Sequence, residues 1–496
     1  MAADLVAGVD LATQEVRVVC ADDEGRVAAT GRAPLRAPHR PRPGWSEQDA
    51  TAWWPAAVDA LRQATDALGR SGADAVAAVA VAATSGTVVA LDGDGEPVAA
   101  ALLYDDQRAA DEAEKAAEAG AARWDALGFR PSATSGLAKW GWLMGQPDVA
   151  SRTRRLAHAS DLVVAGLTGD RRPPTDWSHA LKSGYDPARE EWAHEALDAL
   201  GVRGELLPEV RPPTAAVGTL SEEAASATGL PHQCQVRLGM TDGCAGQVAA
   251  GADRPGRFVT VVGTTMVVKG VTEELVVDPG GAVYCHRHPD GWWLPGGASN
   301  TGGAAIEDAW PDADLRSLDE QAARRGPAGC VTYPLVSTGE RFPFVAPDAE
   351  GFWLGEPADD AERHRALLEG VAFVERLAYA RLAAMGARAE PPVRSAGRGG
   401  RSPVWSAIRA SVLRFPLLVA EQADTAVGAC ILAAAGTLHA DLATAGRSMV
   451  DAGRQVEPTD DEREREGLEE SFGRFVAALA DRGWIDDRLR RAAGAR

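Results

Sequence analysis

The chain has 496 residues, a formal net charge of −20 and 45% hydrophobic residues. This length exceeds a single core of usual size, so we expect two folded domains. An acidic protein repels phosphates, which argues against nucleic acid or an anionic membrane as a partner and favours a small-molecule enzyme.

The positions of the cysteines and lysines exclude further classes of protein. The six cysteines are scattered without a CxxC pair, and the apolar run from Leu5 to Val9 predicts a core strand instead of a secretory leader. We therefore expect reduced thiols and a cytoplasmic protein. The alanine-rich apolar stretches are shorter than the about 20 residues of a membrane helix. None of the four lysines follows a glycine, which excludes a P-loop.

The N-terminal segment predicts a β-hairpin with a polar tip. Apolar runs from Leu5 to Val9 and from Val16 to Val19 flank a polar turn that contains Asp10 and Thr13. Such a tip can hold a phosphate through backbone N–H groups and a threonine hydroxyl. Asp10 is suited to organise a hydrated Mg²⁺, which takes few carboxylates. The alternative is a turn aspartate at a strand end.

Three further elements are expected in the first lobe: a strand from Val27 to Thr30, a helix from Ala50 to Leu68 and a strand from Val76 to Ala82. The last is a continuous run of small apolar residues, typical of a strand buried on both faces. It leads into Thr84 and Ser85, and α/β folds bind ligands at such strand ends.

Asp242 follows a predicted strand end and precedes a helix of small residues. A carboxylate at a helix N-terminus is kept ionised by the helix dipole and the free N–H groups. Asp242 can therefore accept a proton at neutral pH. The alternative interpretation is a helix N-cap without a chemical role, since aspartate is common there.

A second hairpin is predicted just beyond residue 253, where we expect the first lobe to end. Its tip, Gly263-Thr264-Thr265, lies between apolar runs from Phe258 to Val262 and from Met266 to Val268. A helix from about Glu362 to Met385 follows, with apolar residues at three- and four-residue steps that predict a core-facing stripe.

Near residue 397 the sequence predicts a glycine turn that leads into a helix. Gly397, Gly399 and Gly400 precede Ser402 and Pro403, which predict an N-cap and a first-turn proline. A glycine turn at a helix N-terminus suits a nucleotide. From residue 460 a charged amphipathic helix is expected to form the solvated C-terminus.

Two phosphate-binding hairpins with aspartates beside them are the layout of the actin, hexokinase and sugar-kinase superfamily, and the ordered motifs resemble the FGGY family of carbohydrate kinases. The resemblance runs from Leu5 to about Gly436. Its motifs are GVDLATQEVR, GWSEQDATAWW, LDGDGEPVAAALLYDDQRA, the Asp242 segment, VVGTTMVVKG, GGASNTGGAAIED, ERFPF and GRGGRSPVWSAIRASVL.

The resemblance implies an α/β fold with two actin-like, ribonuclease H-like lobes and a nucleotide and sugar cleft between them. We expect an N-terminal lobe at 1–253, a C-terminal lobe at 254–445 and a helical extension at 446–496. By position in the motifs, Asp242 is the implied catalytic base, Asp10 the Mg²⁺ residue, and both bind sugar together with Thr84 and Ser85. The implied ATP-binding residues are Thr13, Arg17, Gly263, Thr264, Thr265, Gly302, Gly303, Gly397, Gly399 and Gly400.

The resemblance implies an ATP- and Mg²⁺-dependent kinase for the terminal hydroxyl of a pentulose. The stretch from Ala83 to Thr87 replaces the Met-His-Gly of ordinary xylulokinases and is similar to the D-ribulose kinase branch, so D-ribulose is expected before D-xylulose. Another ketose or a polyol is an alternative substrate. A homodimer is compatible with the sequence, which does not fix the oligomeric state.

Three residues depart from the family pattern. Ala12 replaces the usual glycine of the first tip, Glu15 stands where serine or threonine is usual, and Arg398 interrupts the glycine run. Each is expected to weaken ATP binding, Glu15 by repelling phosphate and Arg398 by filling space near the base. These departures motivate a second hypothesis, a catalytically degenerate sugar or nucleotide sensor on the same fold.

Overall fold

The computed structural model describes residues 4–420 and 424–494. The strands are β1 (Leu5–Leu11), β2 (Glu15–Asp22), β3 (Val27–Pro34), β4 (Glu47–Gln48), β5 (Val76–Ala83), β6 (Val88–Leu91), β7 (Ala101–Leu102), β8 (Arg155–His158), β9 (Thr175–Asp176), β10 (Tyr185–Asp186), β11 (Glu191–Trp192), β12 (Val210–Arg211), β13 (Ala216–Thr219), β14 (Gln235–Arg237), β15 (Phe258–Val262), β16 (Met266–Gly270), β17 (Tyr284–Arg287), β18 (Trp293–Ser299), β19 (Val331–Tyr333), β20 (Phe352–Leu354), β21 (Val393–Ala396), β22 (Leu417–Val419) and β23 (Arg454–Val456).

The α-helices are α1 (Trp53–Ala73), α2 (Ala110–Ala119), α3 (Ala121–Leu127), α4 (Gly136–Met144), α5 (Pro147–Arg152), α6 (Ala159–Thr168), α7 (Trp177–Leu181), α8 (His194–Ala199), α9 (Glu222–Thr228), α10 (Asp242–Ala249), α11 (Ala304–Ala309), α12 (Leu315–Arg325), α13 (Asp360–Ala384), α14 (Pro403–Leu413), α15 (Thr425–Ala434), α16 (Leu442–Met449), α17 (Glu462–Asp481) and α18 (Asp487–Ala492). Short 3₁₀ helices occupy Ala50–Ala52, Gly204–Leu206 and Arg398–Arg401. No helix in the described ranges is both long and apolar enough to cross a membrane.

The first large sheet has the strand order β13-β14-β5-β1-β2-β3. Strands β1, β2 and β3 are antiparallel neighbours, whereas β1 pairs with β5, and β5 with β14, in parallel. All residues of β5 except Ala77 are buried, as expected for a parallel strand covered on both faces. The carboxyl ends of β1 and β5 therefore lie side by side.

The second large sheet repeats this arrangement in the order β17-β18-β16-β15-β21-β22-β23. Here β15, β16 and β18 are antiparallel neighbours, β15 pairs with β21 and β21 with β22 in parallel, and β23 closes the edge antiparallel to β22. Strand β13 has the same place and sense beside β14 in the first sheet. The fold is thus a mixed α/β fold with two sheets of equivalent topology.

Most predicted elements are confirmed, with small shifts at their ends. Both hairpins are present, α13 covers the predicted amphipathic helix, and α14 starts at Pro403 with Ser402 as its N-cap. Helix α1 extends beyond the predicted end at Leu68, although Gly69 has φ +67° and interrupts the helical geometry there.

The chain divides into two compact units. The first comprises Met1–Ala249, His286–Gly291 and Asp424–Val450, and the second comprises Ala250–Cys285, Trp292–Ala423 and Asp451–Arg496. The predicted limits of the lobes differ most from the limits of these units at 424–450. This segment was predicted to belong to the C-terminal lobe and the helical extension. This segment packs with the first unit because α15 lies against β1 and α10.

Close backbone packing holds α15 on the first sheet. A Cβ atom built on Gly8 of β1 would lie 2.0 Å from the carbonyl oxygen of Ala426, and one on Gly428 would lie 1.9 Å from that of Ala245. Both glycines are therefore required for close approach, and small side chains across this contact bring the backbones together.

We expect Gly8→Ala to lower the free energy of unfolding by about 3 kcal/mol, because the added methyl group forces α15 away from β1. Urea unfolding of both proteins measures this. Gly93→Ala is the matched control: no atom lies within 4 Å of the added carbon, and the expected change is below about 0.5 kcal/mol. Equal stability of the Gly8 and Gly93 variants would contradict the packing described.

Candidate functional site

The first hairpin places a buried ion pair at the end of β1. Asp10 and Arg17 are directly opposite each other in the register of β1 and β2, so their side chains share a face. Arg17 donates a hydrogen bond to the Asp10 carboxylate. Its guanidinium also lies 3.5 Å from an oxygen of Asp424 and 3.7 Å from one of Glu15. One cation thus faces three carboxylates.

Burial controls the protonation of Asp10, which is 1% exposed. Desolvation raises the pKa of Asp10 to about 6, against the opposing effect of Arg17, and the charges of Asp242 and Asp424 act in the same direction as burial. Asp10 is therefore mostly ionised at pH 7 and is protonated in mildly acidic solution.

The tip of the first hairpin is held by backbone contacts and one buried amide. The backbone N–H of Ala12 donates to the carbonyl of Glu15 at 3.1 Å. The side chain of Gln48 donates to the carbonyl of Thr13 at 2.9 Å and accepts from the indole of Trp53 at 2.8 Å. The side chain of Gln48 therefore holds the tip, which carries the half-buried Thr13, in place.

The loop after β5 presents hydroxyl groups. The hydroxyls of Thr84 and Thr87 lie 2.6 Å apart, and the buried hydroxyl of Ser85 has no hydrogen-bond partner within the described part of the chain. Lys139 of α4 stabilises this loop by donating hydrogen bonds to the carbonyls of Gly86 at 2.9 Å and Leu103 at 2.6 Å. Burial lowers the pKa of Lys139 to about 7.

Asp242 begins α10 at the same edge of the sheet. Thr241 forms an isolated parallel bridge with Ala83, the last residue of β5. The adjacent Asp242 is half-buried, and one of its oxygens accepts the N–H of Gly243 at 2.6 Å. The structure therefore brings together the predicted residues Asp10, Thr13, Arg17, Thr84, Ser85 and Asp242 at neighbouring strand ends of one unit.

The second unit gathers the predicted glycines around the second hairpin tip. A Cβ atom on Gly302 would lie 2.7 Å from the carbonyl oxygen of Thr264, and one on Gly303 would lie 2.6 Å from that of Gly263. The N–H of Gly303 donates to Gly263 at 2.8 Å. These two glycines therefore support the tip that contains Thr264 and Thr265 by direct contact.

The later glycine turn packs against the same hairpin. Gly397 has φ +88°, a conformation that favours glycine, and a Cβ atom there would lie 2.5 Å from the carbonyl oxygen of Val262. Gly399 contacts the side chain of Val262, and Gly400 contacts that of Val419. The side chain of Arg398, predicted to fill space near the base, lies outside the described residues.

A buried carboxylate that the sequence analysis did not single out fixes the Gly302-Gly303 turn. Glu340 is 3% exposed and accepts hydrogen bonds from the hydroxyls of Ser299, Thr301 and Tyr333 and from the backbone N–H of Asn300. These donors satisfy the buried carboxylate oxygens of Glu340.

The carboxylates of the site are compatible with Mg²⁺ binding. Within residues 4–420 and 424–494, no group of three or more His, Cys, Asp or Glu side chains is arranged to hold a metal ion. Mg²⁺ does not need such a group, since it keeps several waters and is commonly bound by one or two carboxylates together with substrate phosphates. The carboxylates of Asp10 and Asp242 fit that requirement.

Comparison with known proteins identifies the class. Residues 5–249 match the N-terminal domain of the FGGY family of carbohydrate kinases, and residues 258–437 match its C-terminal domain. The chain therefore belongs to the FGGY family, whose members are sugar kinases that transfer a phosphoryl group.

Individual relatives cover nearly the whole chain. It is 30% identical to the xylulose kinase of Streptomyces rubiginosus over 494 residues, which covers 97% of this chain and 98% of that protein. It is 24% identical to the gluconokinase of Bacillus subtilis strain 168, over 76% of this chain and 77% of that protein. The crystal structure of the xylulose kinase from Rhodospirillum rubrum superposes with a TM-score of 0.86 at 28% identity, over 96% and 98% of the two chains.

We expect the stability of the protein to depend on pH through Asp10. Because its pKa is higher in the folded protein, its contribution to the free energy of unfolding is complete below pH 3.8 and is lost as the pH rises through about 6. Relative to Asp10→Asn, the wild-type protein should lose about 2 kcal/mol between pH 4 and pH 7. Urea unfolding across this range measures the difference.

Asp22→Asn is the control for this measurement. Burial would raise the pKa of Asp22, but hydrogen bonds from Arg26 and Glu24 outweigh it and the pKa is lowered. Its contribution is therefore present above pH 3.8 and is lost in acid, opposite to that of Asp10. Parallel pH profiles for the two variants would contradict the assignment.

Proposed function

We propose that the protein transfers the γ-phosphoryl group of ATP to the terminal hydroxyl of a pentulose, with D-ribulose preferred to D-xylulose. The observation that carries the proposal is the placement of Asp242, a half-buried carboxylate at a helix start, beside the hydroxyl loop of Thr84 and Ser85 at adjoining strand ends. A sugar bound by the hydroxyls would meet a proton acceptor.

Asp242 acts in this proposal as the general base for the attacking hydroxyl. Its position at the start of α10 favours the ionised form, because the helix dipole and free N–H groups stabilise negative charge. In phosphoryl transfer the protein mainly positions the groups and stabilises charge, and a base or orienting group acts on the nucleophile. Thr84 and Ser85 hold the sugar through neutral hydrogen bonds.

Asp10 holds the hydrated Mg²⁺ in the same proposal, and Arg17 and Thr13 contact phosphate oxygens. When bound, Mg²⁺ neutralises the charge of the β- and γ-phosphates. Arg17 is already oriented by Asp10 and Asp424, so its guanidinium is held at the base of the tip before ATP binds. Backbone N–H groups of the second tip, Gly263 to Thr265, are the corresponding donors of the second unit.

The pentulose preference is supported by two observations. The relative from Streptomyces rubiginosus is named xylulose kinase, and the loop after β5 presents hydroxyls suited to a neutral sugar. The choice of D-ribulose depends on the Ala83 to Thr87 sequence in place of Met-His-Gly. A coupled assay of ADP release across D-ribulose, D-xylulose, other ketoses, polyols and gluconate tests the proposal. Turnover of gluconate alone would overturn it.

A sugar or nucleotide sensor is the second candidate. It is favoured by the three carboxylates around Arg17, which compete with phosphate for the guanidinium. A sensor would bind ATP and sugar without releasing ADP. The six cysteines are buried, and none forms a disulfide within the described residues, which supports a cytoplasmic location for either activity.

We expect Asp242→Asn to lower kcat by about 10²- to 10⁴-fold, because proton acceptance is lost while the shape is kept. Steady-state kinetics and thermal unfolding of the purified variant measure this. Asp461→Asn is the matched control, since Asp461 is an exposed N-cap of α17 that accepts the N–H of Arg463 at 2.9 Å. Unchanged kcat in the Asp242 variant would leave only the N-cap interpretation.

We expect the double change Ala12→Gly and Glu15→Ser to tighten ATP about threefold to tenfold, because it removes a negative charge beside Arg17. Calorimetric titration with ATP and Mg²⁺ in the absence of sugar measures the affinity. Glu24→Ser, an exposed turn carboxylate of the same unit, controls for net charge. Weaker binding in the double variant would show that Glu15 supports the site through Arg17.

A further inference from the structure

Behind the strand ends of the first unit lies a buried polar cluster formed by Asp176, Ser178 and His179. Their exposed fractions are 2%, 0% and 0%. Asp176 ends β9 and caps α7, and its side chain accepts the backbone N–H groups of Ser178 and His179 at 2.7 and 3.2 Å. The sequence analysis gave these residues no role, although buried polar groups are costly unless they are hydrogen-bonded.

The cluster reaches the segment that carries Asp242. The hydroxyl of Ser178 donates to Asp176 at 2.5 Å, and its oxygen accepts the backbone N–H of Thr241 at 2.9 Å. A hydroxyl has one proton and two lone pairs, so donation to the carboxylate orients a lone pair toward Thr241. The residue directly before Asp242 is thereby anchored to a charged group.

The cluster also reaches the end of β5. One ring nitrogen of His179 lies against the Asp176 carboxylate, and the other lies 3.3 Å from the carbonyl oxygen of Ala83. Ala83 directly precedes Thr84 and is bridged to Thr241. Both strand ends that carry the proposed sugar-binding and proton-accepting groups are therefore held by neighbouring residues of one short helix.

The ring of His179 meets hydrogen-bond acceptors on both sides. An ionised carboxylate and a carbonyl oxygen donate nothing, so a neutral imidazole would leave one lone pair facing an acceptor. The imidazolium satisfies both contacts. Burial lowers the pKa of His179, but the charge and hydrogen bond of Asp176 and the charges of Asp161 and Asp242 outweigh it, and the pKa is raised.

We propose that Asp176, Ser178 and His179 position Asp242 and the Thr84-Ser85 loop for the reaction. The assignment rests on the proposed kinase activity and adds residues that touch neither sugar nor ATP. Small misplacements of reacting groups lower rates steeply, about 100-fold for a displacement near 1 Å. We call the contacts that link Asp176, Ser178 and His179 to Ala83 and Thr241 the clamp. Because the clamp holds both strand ends, its loss is expected to lower kcat.

The experiment is Ser178→Ala, which removes one hydroxyl. We expect kcat to fall about 10- to 100-fold and KM for ATP to stay within about twofold, because the Thr241 amide loses its acceptor and Asp176 loses one donor. Ser183→Ala is the matched control. Ser183 is equally buried, and its hydroxyl bonds His158 at 2.8 Å without reaching Ala83 or Thr241.

Thermal unfolding of both variants separates positioning from stability. Comparable losses of Tm with a lower kcat only in Ser178→Ala support the clamp. An equal loss of kcat in both variants, or kcat within twofold of wild type in Ser178→Ala, would overturn it.

Failure of the kinase proposal is distinguishable from failure of the clamp. If the wild-type protein releases no ADP with any sugar in the panel, the kinase proposal fails, and the clamp is then measured by hydrogen exchange. Ser178→Ala should speed exchange of the Thr241 amide at least tenfold over Ser183→Ala. Equal exchange in the two variants would overturn the anchor, whatever the substrate.

Discussion

Parallel pairing of β1 with β5 is the constraint on which the candidate site of the first unit depends. In this register Asp10 lies opposite Ala82 and Leu11 opposite Ala83, so the hairpin tip and the hydroxyl loop leave the sheet side by side. The bridge from Ala83 to Thr241 extends the same edge to Asp242. Strands that share a direction bring their carboxyl ends together, and residues separated by more than 200 positions in sequence become neighbours.

Such closeness of carboxylates has an electrostatic consequence. Burial is the main cause of the raised pKa of Asp10, and the charges of Asp242 and Asp424 add to it. Arg17 lies against Asp10 and lowers this pKa in part. A polyphosphate at the same edge would add further negative charge, which is the physical reason for proposing Asp10 as the residue that would hold Mg²⁺.

The fold was largely predictable from local pattern. The hairpin at Gly263 to Thr265, the helix over Asp360–Ala384 and the N-cap at Ser402 all follow from apolar periodicity, glycine turns and capping chemistry. Each of these signals is contained within a few residues of sequence. Their positions therefore did not depend on knowing which distant segments meet.

The residues that the sequence analysis did not predict act through contacts with residues far away in sequence. Lys139 supports a loop more than 50 residues away, and Ser178 binds the N–H of Thr241 across 63 positions. Neither has a local pattern that separates it from an ordinary helical residue. The compact unit that contains 424–450 also differs from the predicted lobe, since the packing of this segment on Gly8 is decided by backbone closeness that sequence order does not reveal.

The repeated topology of the two sheets shows how one hairpin architecture supports different chemistry. Asp10 and Arg17 face each other just before the first tip, whereas the corresponding pair before the second tip is Val261 and Val267. The first hairpin therefore offers a buried ion pair, and the second offers mainly backbone N–H groups and threonine hydroxyls supported by glycines. A carboxylate can organise a cation, and uncharged donors can bind phosphate oxygens without repelling that cation. The two hairpins thus differ in the chemistry that they can offer a ligand, although their strand pairing is equivalent.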